Sequence, residues 1–308
     1  MSAAGARRRP ANLLFHADAR DSCDRLPPGL TLDFVYLDPP YGVGAEMTAR
    51  TARGQARGRK QARTESPVAY RDGADVGALV QMLGQVAAHI QPRLAQSGVL
   101  CVHMDQRAVH EAKVELDRVF GRNAFLGEVI WTPGNGARGK SLPSTHQTLL
   151  FFAKSGVDAG RVEWRIDHPL WREPHADTSL AMHFKLRDAD GRRYRERVIN
   201  GKTYRYFADE GRRLGSVWTD IPAMSANTPL QREGTGYPTQ KPEKLLERLI
   251  VGVTREGAVV ADFMCGSGTT LAVAARLGRP FVGGDRSELA IEITSARLRA
   301  QGVAFALE

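Results

Sequence analysis

The segment that most constrains the fold begins at Leu32 and ends at Gly42. Residues 32–37 are apolar, β-branched or aromatic apart from one acid, and an aspartate, two prolines and a tyrosine follow directly. Such a run predicts a buried strand that ends at the rim of a sheet, because proline cannot donate to the hydrogen-bond ladder. In open α/β sheets ligands bind beyond the carboxyl ends of the strands. A carboxylate, a rigid backbone and a flat ring would meet there, which suits a planar substrate that carries an amine, such as a nucleobase.

Strand-like and helix-like segments alternate along most of the chain. Besides 32–37, strands are predicted at 12–18, 98–103, 126–131, 148–152, 258–263 and 280–285. Helices are predicted at 21–30, 75–94, 106–120, 243–253 and 271–277, with one more at the carboxyl terminus. This alternation predicts an α/β fold with a largely parallel, doubly wound sheet.

The size and charge of the chain limit its partners. Its 308 residues suffice for one large α/β domain with an insertion or for two smaller domains. The formal charge of +9 favours a polyanionic partner but does not distinguish DNA from RNA or from an acidic membrane surface. No apolar run approaches the length that spans a bilayer, and the basic residues 7–9 lack the apolar core of a signal peptide. We therefore expect a cytoplasmic protein.

The three cysteines, Cys23, Cys101 and Cys265, are widely separated and lack metal-ligand spacing. None follows a proline, so the Pro-Cys nucleophile of enzymes that methylate carbon-5 of cytosine is missing. We expect neither disulfides, nor a metal site, nor covalent catalysis by a thiol.

Residues 42–71 show no hydrophobic periodicity and contain too little apolar surface to fold alone. Their position directly after the candidate catalytic segment favours a mobile loop that orders on a phosphate backbone, and a solvated surface loop is the alternative. The candidate DNA-binding residues in this loop are Arg50, Arg53, Arg57, Arg59, Lys60 and Arg63.

The periodicity changes again between residues 155 and 235, which predicts an inserted, β-rich module. Strands at 195–199 and 202–207 flank Asn200 and Gly201, a strong signal for a type I′ hairpin, and residues 182–186 are predicted to add a third strand. Arginines interleave with tyrosines here, a composition suited to phosphates and bases, although a small sheet with a charged outer face explains it nearly as well. The candidate DNA-binding residues of this module are Arg193, Arg195, Arg197, Lys202 and Arg205.

A glycine-rich turn at residues 263–270 joins the predicted strand 258–263 to a helix. Such a turn lets a ligand approach the backbone closely, and Asp285 at the end of the next strand is placed to bind ribose hydroxyls. The third glycine of the dinucleotide fingerprint and the Walker lysine are both missing, so a nucleoside without a pyrophosphate fits better.

Together these segments resemble the β class of the amino-methylating DNA methyltransferases. Residues 38–41 resemble the catalytic motif of that family, residues 263–270 its S-adenosylmethionine loop, and residues 237–242 the segment that precedes this loop. The resemblance implies a Rossmann-like methyltransferase fold with a seven-stranded, mostly parallel sheet. Residues 1–154 and 236–308 would form the catalytic and cofactor-binding domain, and 155–235 would form the target-recognition insert.

The resemblance also implies roles for individual residues. Asp18 would face the adenine of S-adenosylmethionine and Asp285 its ribose, while Asp262 and Lys241 would help to enclose it. The family usually has proline after the aspartate that corresponds to Asp262, whereas Phe263 follows here. The complete set of expected cofactor contacts is Asp18, Ala19, Lys241, Asp262, Phe263, Cys265, Gly266, Ser267, Gly268, Thr269, Thr270 and Asp285. The expected catalytic residues are Asp38, Pro39, Pro40 and Tyr41.

The predicted reaction is methyl transfer, without a metal, to the N6 amino group of an adenine flipped out of duplex DNA. The lone pair of an aromatic amine is delocalised, so Asp38 and the Pro39 carbonyl would draw its protons aside while Tyr41 stacks on the base. Transfer to cytosine N4 is the nearest alternative, followed by a catalytically silent DNA-binding subunit, an RNA methyltransferase and an NAD dehydrogenase. The resemblance places the protein in the prokaryotic cytoplasm on nucleoid DNA, suggests a homodimer, and leaves open a cognate restriction enzyme.

Overall fold

The computed structural model describes residues 12–41, 44–49, 67–71, 73, 75–134, 142–224 and 233–308. The six basic residues predicted to contact DNA between positions 50 and 63 lie outside these ranges. The strands are β1 (Leu13–His16), β2 (Leu32–Leu37), β3 (Glu46–Thr48), β4 (Val68–Arg71), β5 (Leu94–Met104), β6 (Phe125–Trp131), β7 (Gln147–Ala153), β8 (Arg172–Glu173), β9 (Leu186–Arg187), β10 (Arg193–Ile199), β11 (Lys202–Phe207), β12 (Arg212–Arg213), β13 (Val217–Trp218), β14 (Val260–Asp262), β15 (Phe281–Asp285) and β16 (Ala306–Leu307). The helices are α1 (Ala19–Asp24), α2 (Val76–Ile90), α3 (Val109–Phe120), α4 (Asp177–His183), α5 (Glu243–Val253), α6 (Thr269–Arg276) and α7 (Glu288–Ala300).

A nine-stranded sheet in the order β13-β6-β7-β5-β2-β14-β15-β1-β16 forms the centre of the fold. Its strands run parallel except β7, which is antiparallel to both of its neighbours. The edge strands β13 and β16 contain two residues each, so the seven strands between them form the predicted seven-stranded, mostly parallel sheet.

Helices cover both faces of this sheet, as its buried parallel strands require. Side chains of β2 alternate between two apolar clusters: Val35 and Leu37 join the cluster that contains α2 and α3, whereas Phe34 and Tyr36 join the cluster that contains α5 and α6. Helix α5 has the predicted bounds, and its leucines at 245, 246 and 249 are fully buried. The strand β2 therefore lies in the middle of the core, and its carboxyl end is held firmly.

The hairpin predicted around Asn200 is present, and the third strand predicted before it is present only in part. Asn200 and Gly201 have φ values of +51° and +75°, as a type I′ turn requires, and they connect β10 to β11. The third strand predicted at 182–186 is shorter and lies later: β9 contains only Leu186 and Arg187 and pairs with β10, whereas residues 182 and 183 belong to the end of α4. The guanidinium of Arg193 stabilises the end of α4 by donating to the carbonyls of Leu180 and Phe184 at 2.5 and 3.0 Å.

Tryptophans attach the segment after residue 155 to the main sheet. Trp164, Trp171 and Trp218 form a chain of edge-to-face ring contacts, and β13 pairs with β6. The indole nitrogen of Trp171 donates to the carbonyl of Arg248 in α5 at 2.7 Å. The ring lies against Gly252, where a Cβ atom would come within 2.3 Å of it. The inserted segment therefore shares a hydrophobic core with the main sheet.

No helix in the described ranges combines the length and the apolar character needed to cross a membrane.

Candidate active site

Four aspartates lie at the carboxyl ends of four adjacent strands. Asp38 follows β2, Asp262 ends β14, Asp285 ends β15 and Asp18 follows β1 shortly after its end. Since these strands are neighbours in the order β2-β14-β15-β1, the carboxylates form a row along one rim of the sheet. All four line one cavity of about 240 Å³.

This cavity brings together nearly all of the predicted catalytic and cofactor-binding residues. The lining includes the four predicted catalytic residues and every predicted cofactor contact except Gly268. Gly268 precedes α6 with a φ of +69°, and a Cβ atom there would lie 2.6 Å from the hydroxyl of Thr294 in α7. Position 268 therefore requires glycine for two reasons, the positive φ of the turn and the close packing against α7.

At the β2 end of the cavity, Asp38 is held by two donors. The Lys241 ammonium lies 2.5 Å from Oδ2 of Asp38, and the Tyr41 hydroxyl donates to Oδ1 at 2.5 Å. The same ammonium lies 5.2 Å from the centre of the Tyr41 ring. Lys241 is 8% exposed and Asp38 17%, so this charge pair is largely shielded from water. Burial raises the pKa of Tyr41 well above its usual value, and the hydroxyl therefore remains a donor.

A buried histidine in the neighbouring strand β5 contacts the carboxyl-terminal part of β2. His103 in β5 hydrogen-bonds through Nδ1 to the Tyr36 hydroxyl at 2.7 Å, and Tyr36 lines the cavity. Burial and the positive charge of Lys241 lower the pKa of His103 to about 3, so the ring is neutral at physiological pH. Its Nε2 atom has no hydrogen-bond partner among the described residues, although the Gln147 side chain is close enough to influence the pKa of the ring.

At the β15 end, the glycine-rich loop fixes Asp285. The backbone N–H groups of Gly266 and Ser287 each donate to one carboxylate oxygen of Asp285 at 2.9 Å. Gly266 has a φ of +48°, and a Cβ atom there would lie 2.8 Å from the Tyr237 ring, so only glycine fits. The Tyr237 ring stacks on Tyr70 of β4 with 6.4 Å between ring centres, and both tyrosines line the cavity.

The central carboxyl, Asp262, is 2% exposed. Burial raises its pKa to about 7, with further contributions from the negative charges of Asp38 and Asp285, while hydrogen bonds from Thr270 and the Met264 N–H oppose the rise. Burial also raises the pKa of Asp285. A cation in the cavity would favour the ionised forms of both groups, so the electrostatics favour a ligand that carries positive charge.

Asp18 differs from the other three carboxylates because it caps a helix. It accepts hydrogen bonds from the backbone N–H groups of Arg20 and Asp21 at the start of α1, at 2.8 and 3.1 Å. Burial alone would raise its pKa, but these bonds and the Arg20 guanidinium lower it overall. Ala19 lies beside it in the lining.

The predicted DNA-binding residues of the hairpin have unequal surroundings. Arg193 is bonded to α4, and Arg205 pairs with Glu196 at 3.0 Å. The Arg195 guanidinium lies near the rings of Phe184 and Tyr206. Arg197 is exposed and makes no ion pair with the described residues, and the ammonium of the exposed Lys202 lies 5.6 Å from the centre of the Tyr204 ring.

Sequence reasoning missed several lining residues. Tyr237 belongs to the segment 237–242, which resembles a segment of the family, so its place in the site could have been predicted. Tyr70 lies at the end of the patternless loop, and Met82 and Val86 belong to the apolar stripe of α2, which indicated only core packing. His103 ends the predicted strand 98–103, and nothing in the sequence indicates that it is buried behind the cavity and hydrogen-bonded to Tyr36.

Cysteines and acidic groups give no sign of other chemistry in the described ranges. Cys23, Cys101 and Cys265 are buried free thiols. No group of three or more His, Cys, Asp or Glu side chains in those ranges is arranged to hold a metal ion.

Solved structures identify the fold. The chain superposes on TTHA0409 of Thermus thermophilus with a TM-score of 0.56 at 19% identity, over 96% of this chain and 98% of that one. For the PvuII DNA methyltransferase, which is cytosine-N4-specific, the TM-score is 0.56 at 14% identity over 94% and 86%. For M1.HpyAVI in its SAM complex it is 0.53 at 17% identity over 93% and 98%. The fold is therefore the α/β fold of S-adenosylmethionine-dependent DNA methyltransferases.

Sequence comparison identifies the family. The family described as DNA methylase, N6_N4_Mtase, matches residues 32–296, and the chain belongs to this family. The Type II methyltransferase M2.DpnII of Streptococcus pneumoniae is 41% identical over 93 residues, or 30% of this chain and 33% of the relative. M2.LlaDCHI of Lactococcus lactis subsp. cremoris is 37% identical over 99 residues, or 32% and 35%. These alignments span about a third of each curated relative, and the resemblance inferred from the motifs is confirmed at the level of the family.

Proposed function

We propose that the chain is a site-specific DNA methyltransferase that transfers a methyl group from S-adenosylmethionine to N6 of an adenine flipped out of duplex DNA. The observation that carries this proposal is that Asp38 and Tyr41 share one cavity with residues 263–270 and with Asp285. An acceptor for the protons of an amine thus lies beside a site with the features of a nucleoside pocket. This combination matches group transfer to a base.

The cavity has the chemistry that S-adenosylmethionine requires. When bound, this cofactor supplies a methyl group activated by its positively charged sulfur. Asp285, oriented by two backbone donors, is placed to accept hydrogen bonds from ribose hydroxyls. The raised pKa of Asp262 supports a cationic ligand, because a nearby positive charge would compensate its buried carboxylate. We assign to the cofactor the lining residues Asp18, Ala19, Lys241, Asp262, Phe263, Cys265, Gly266, Ser267, Thr269, Thr270 and Asp285, with Gly268 shaping the loop.

Asp38 and Tyr41 prepare the amine in this proposal. Each oxygen of Asp38 has one protein donor, and a carboxylate oxygen accepts more than one hydrogen bond, so Asp38 retains the capacity to bind an amine proton. The carbonyl of the buried Pro39 is the second proposed acceptor, and Pro40 stiffens the turn. With both protons drawn aside, the nitrogen lone pair is free for the methyl group, and Asp38 takes the proton that the amine loses. The Tyr41 ring would stack on the base, which is worth roughly 1–3 kcal/mol.

The choice of base rests on Asp38. An aspartate at the first position of the motif favours adenine by resemblance, whereas cytosine N4 uses the same acceptors and remains the alternative.

The name Type II methyltransferase of the two curated relatives supports a role together with a restriction enzyme. We further propose residues 155–235 as the target-recognition module and a homodimer as the assembly. Strands β3 and β4 lie at the two ends of the predicted loop 42–71, and we propose that the basic residues 50–63 between them contact the phosphate backbone.

The test is to incubate the purified protein with duplex DNA and labelled S-adenosylmethionine, and to identify the methylated nucleoside by mass spectrometry. We expect N6-methyladenine from the unaltered protein and none from Asp38→Ala, which should still bind S-adenosylmethionine. Asp24→Ala, which removes an exposed carboxylate from the end of α1, is the control and should remain active. N4-methylcytosine as the product would assign the alternative base, and full activity of Asp38→Ala would contradict the mechanism.

A further inference from the structure

The strand register divides the basic residues of the β10–β11 hairpin between two faces. Cross-strand partners share a face, so Arg195, Arg197 and Ile199 lie on one side together with their partners Tyr206, Tyr204 and Lys202. We call this set the basic face. Tyr194, Glu196 and Val198 lie on the other side with their partners Phe207, Arg205 and Thr203, and this set is the neutralised face.

Acidic side chains compensate the cations of the neutralised face. Arg205 pairs with Glu196 at 3.0 Å. Arg192 directly precedes β10, and we count it with the neutralised face because its guanidinium lies over the Phe207 ring. It pairs with Asp209 at 2.9 Å and lies 3.7 Å from Glu210. The two arginines on this side therefore exert little net field, although Arg205 was among the candidate DNA-binding residues.

The basic face carries three cations and, among its six residues, no acid. Its inner end is covered, because Arg195 lies near the buried ring of Phe184. Its outer end is open, since Arg197 and Lys202 are exposed, and Tyr204 and Ile199 are 41% and 44% exposed. An exposed surface that alternates cations with aromatic rings complements a phosphate backbone and base edges.

We propose that the outer basic face, formed by Arg197, Ile199, Lys202 and Tyr204, is the surface of the inserted module that docks on duplex DNA, and that the neutralised face points away from it. This inference rests on the proposed function and narrows it to one side of one hairpin. A two-stranded β-ribbon fits the major groove, so the hairpin presents the face as a unit. Arg197 and Lys202 contact phosphates or guanines, and the Ile199 side chain lies against sugar or thymine methyl groups.

Two double variants with the same change of charge test the proposal. R197Q/K202Q removes two cations from the outer basic face, and R192Q/R205Q removes two from the neutralised face of the same hairpin. Binding to a methylatable duplex is measured by fluorescence anisotropy at several salt concentrations. Each lost phosphate contact lowers the salt slope by about 0.9 and weakens binding by about 5.5-fold at 0.15 M salt, so the affinity of R197Q/K202Q should fall about 30-fold. The expected loss for R192Q/R205Q is less than about threefold.

Equal losses in the two variants would overturn the assignment, since net charge alone would then explain binding, and so would a larger loss in R192Q/R205Q. If R197Q/K202Q binds duplex DNA as tightly as the unaltered protein but binds single-stranded DNA or RNA more weakly, duplex DNA is not the partner of this face. S-adenosylmethionine affinity and thermal melting verify that both variants are folded. If the unaltered protein neither binds nor methylates duplex DNA, the proposed function itself fails. If the unaltered protein is active and the two double variants lose the same DNA affinity, only the choice of face is refuted.

Discussion

Asp262→Asn should make the ligand-free protein more stable at neutral and alkaline pH. Asp262 is 2% exposed, and burial raises its pKa from the usual 3.8 to about 7. Asparagine has nearly the same shape, its carbonyl oxygen can accept the hydrogen bond from the Met264 N–H, and the Thr270 hydroxyl can accept from its amide. The substitution therefore removes a buried charge and retains most of the local bonds.

The size and sign of the effect follow from proton linkage. The folded protein binds the Asp262 proton more tightly than the unfolded chain, so this contribution to stability is fully present below pH 3.8 and is lost as the pH rises to about 7. The complete pKa difference corresponds to about 4 kcal/mol at roughly 1.4 kcal/mol per pH unit. Asp262→Asn should have a free energy of unfolding close to that of the unaltered protein near pH 4. Its advantage should grow toward that upper limit above pH 7.

Urea unfolding between pH 4 and pH 8 measures this difference directly. Asp190→Asn, which removes an exposed carboxylate from the turn before β10, controls for general effects of charge. Parallel pH profiles for the unaltered protein and Asp262→Asn would refute the reasoning, because they would show that Asp262 ionises without penalty. The stabilised variant should bind S-adenosylmethionine more weakly by calorimetry, since the carboxylate that complements the positive charge is gone.

Two further predictions concern the same cavity. Tyr41→Ala should reduce kcat more than Tyr41→Phe, because phenylalanine retains the stacking ring. Tyr41→Phe removes the hydrogen bond to Asp38, which is worth about 1.5–3 kcal/mol, and should therefore lower kcat by roughly 10- to 150-fold at most. Equal losses for the two variants in single-turnover assays would assign the main role to the hydroxyl. Gly266→Ala should weaken S-adenosylmethionine binding more than Gly268→Ala. A Cβ added at position 266 meets Tyr237, which lines the cavity, whereas one added at position 268 meets Thr294, which does not. Thermal melting should show that both variants are destabilised, and equal affinities for S-adenosylmethionine would contradict the prediction.

Much of the site could be predicted because its residues are local in sequence. The Asp-Pro-Pro-Tyr segment and the loop 263–270 each combine a strand end with a turn, and short-range rules recognise such combinations. The rule that parallel strands present their carboxyl ends at one edge then brings these segments together, although more than two hundred residues separate them. Lys241 was expected to enclose the cofactor, and its pairing with Asp38 emerged only from the fold.

Other features have no local signature. The apolar stripe of α2 has the same pattern whether Met82 and Val86 only fill the core or also line a cavity. The strand predicted at 182–186 begins only at Leu186, because hydrogen bonds from Arg193 to the carbonyls of Leu180 and Phe184 stabilise the end of α4. The residues around 182 give no sign of these bonds. The pKa of Asp262 depends on its burial and on two other carboxylates that approach it only in the folded chain.

The sequence by itself determined the family, the order of the main strands and helices of the central sheet, and most residues at the rim of the cavity. Alternating hydrophobicity and turn chemistry act over a few residues, so they can be recognised without the fold. Only the tertiary structure decided which charges neutralise one another. Asp38 pairs with Lys241, which lies 203 residues further along the chain, whereas Arg197 and Lys202 remain exposed. The reason is physical: a hydrogen bond or an ion pair requires two atoms within about 3–4 Å, and residues distant in the chain reach that separation only when the whole core has packed.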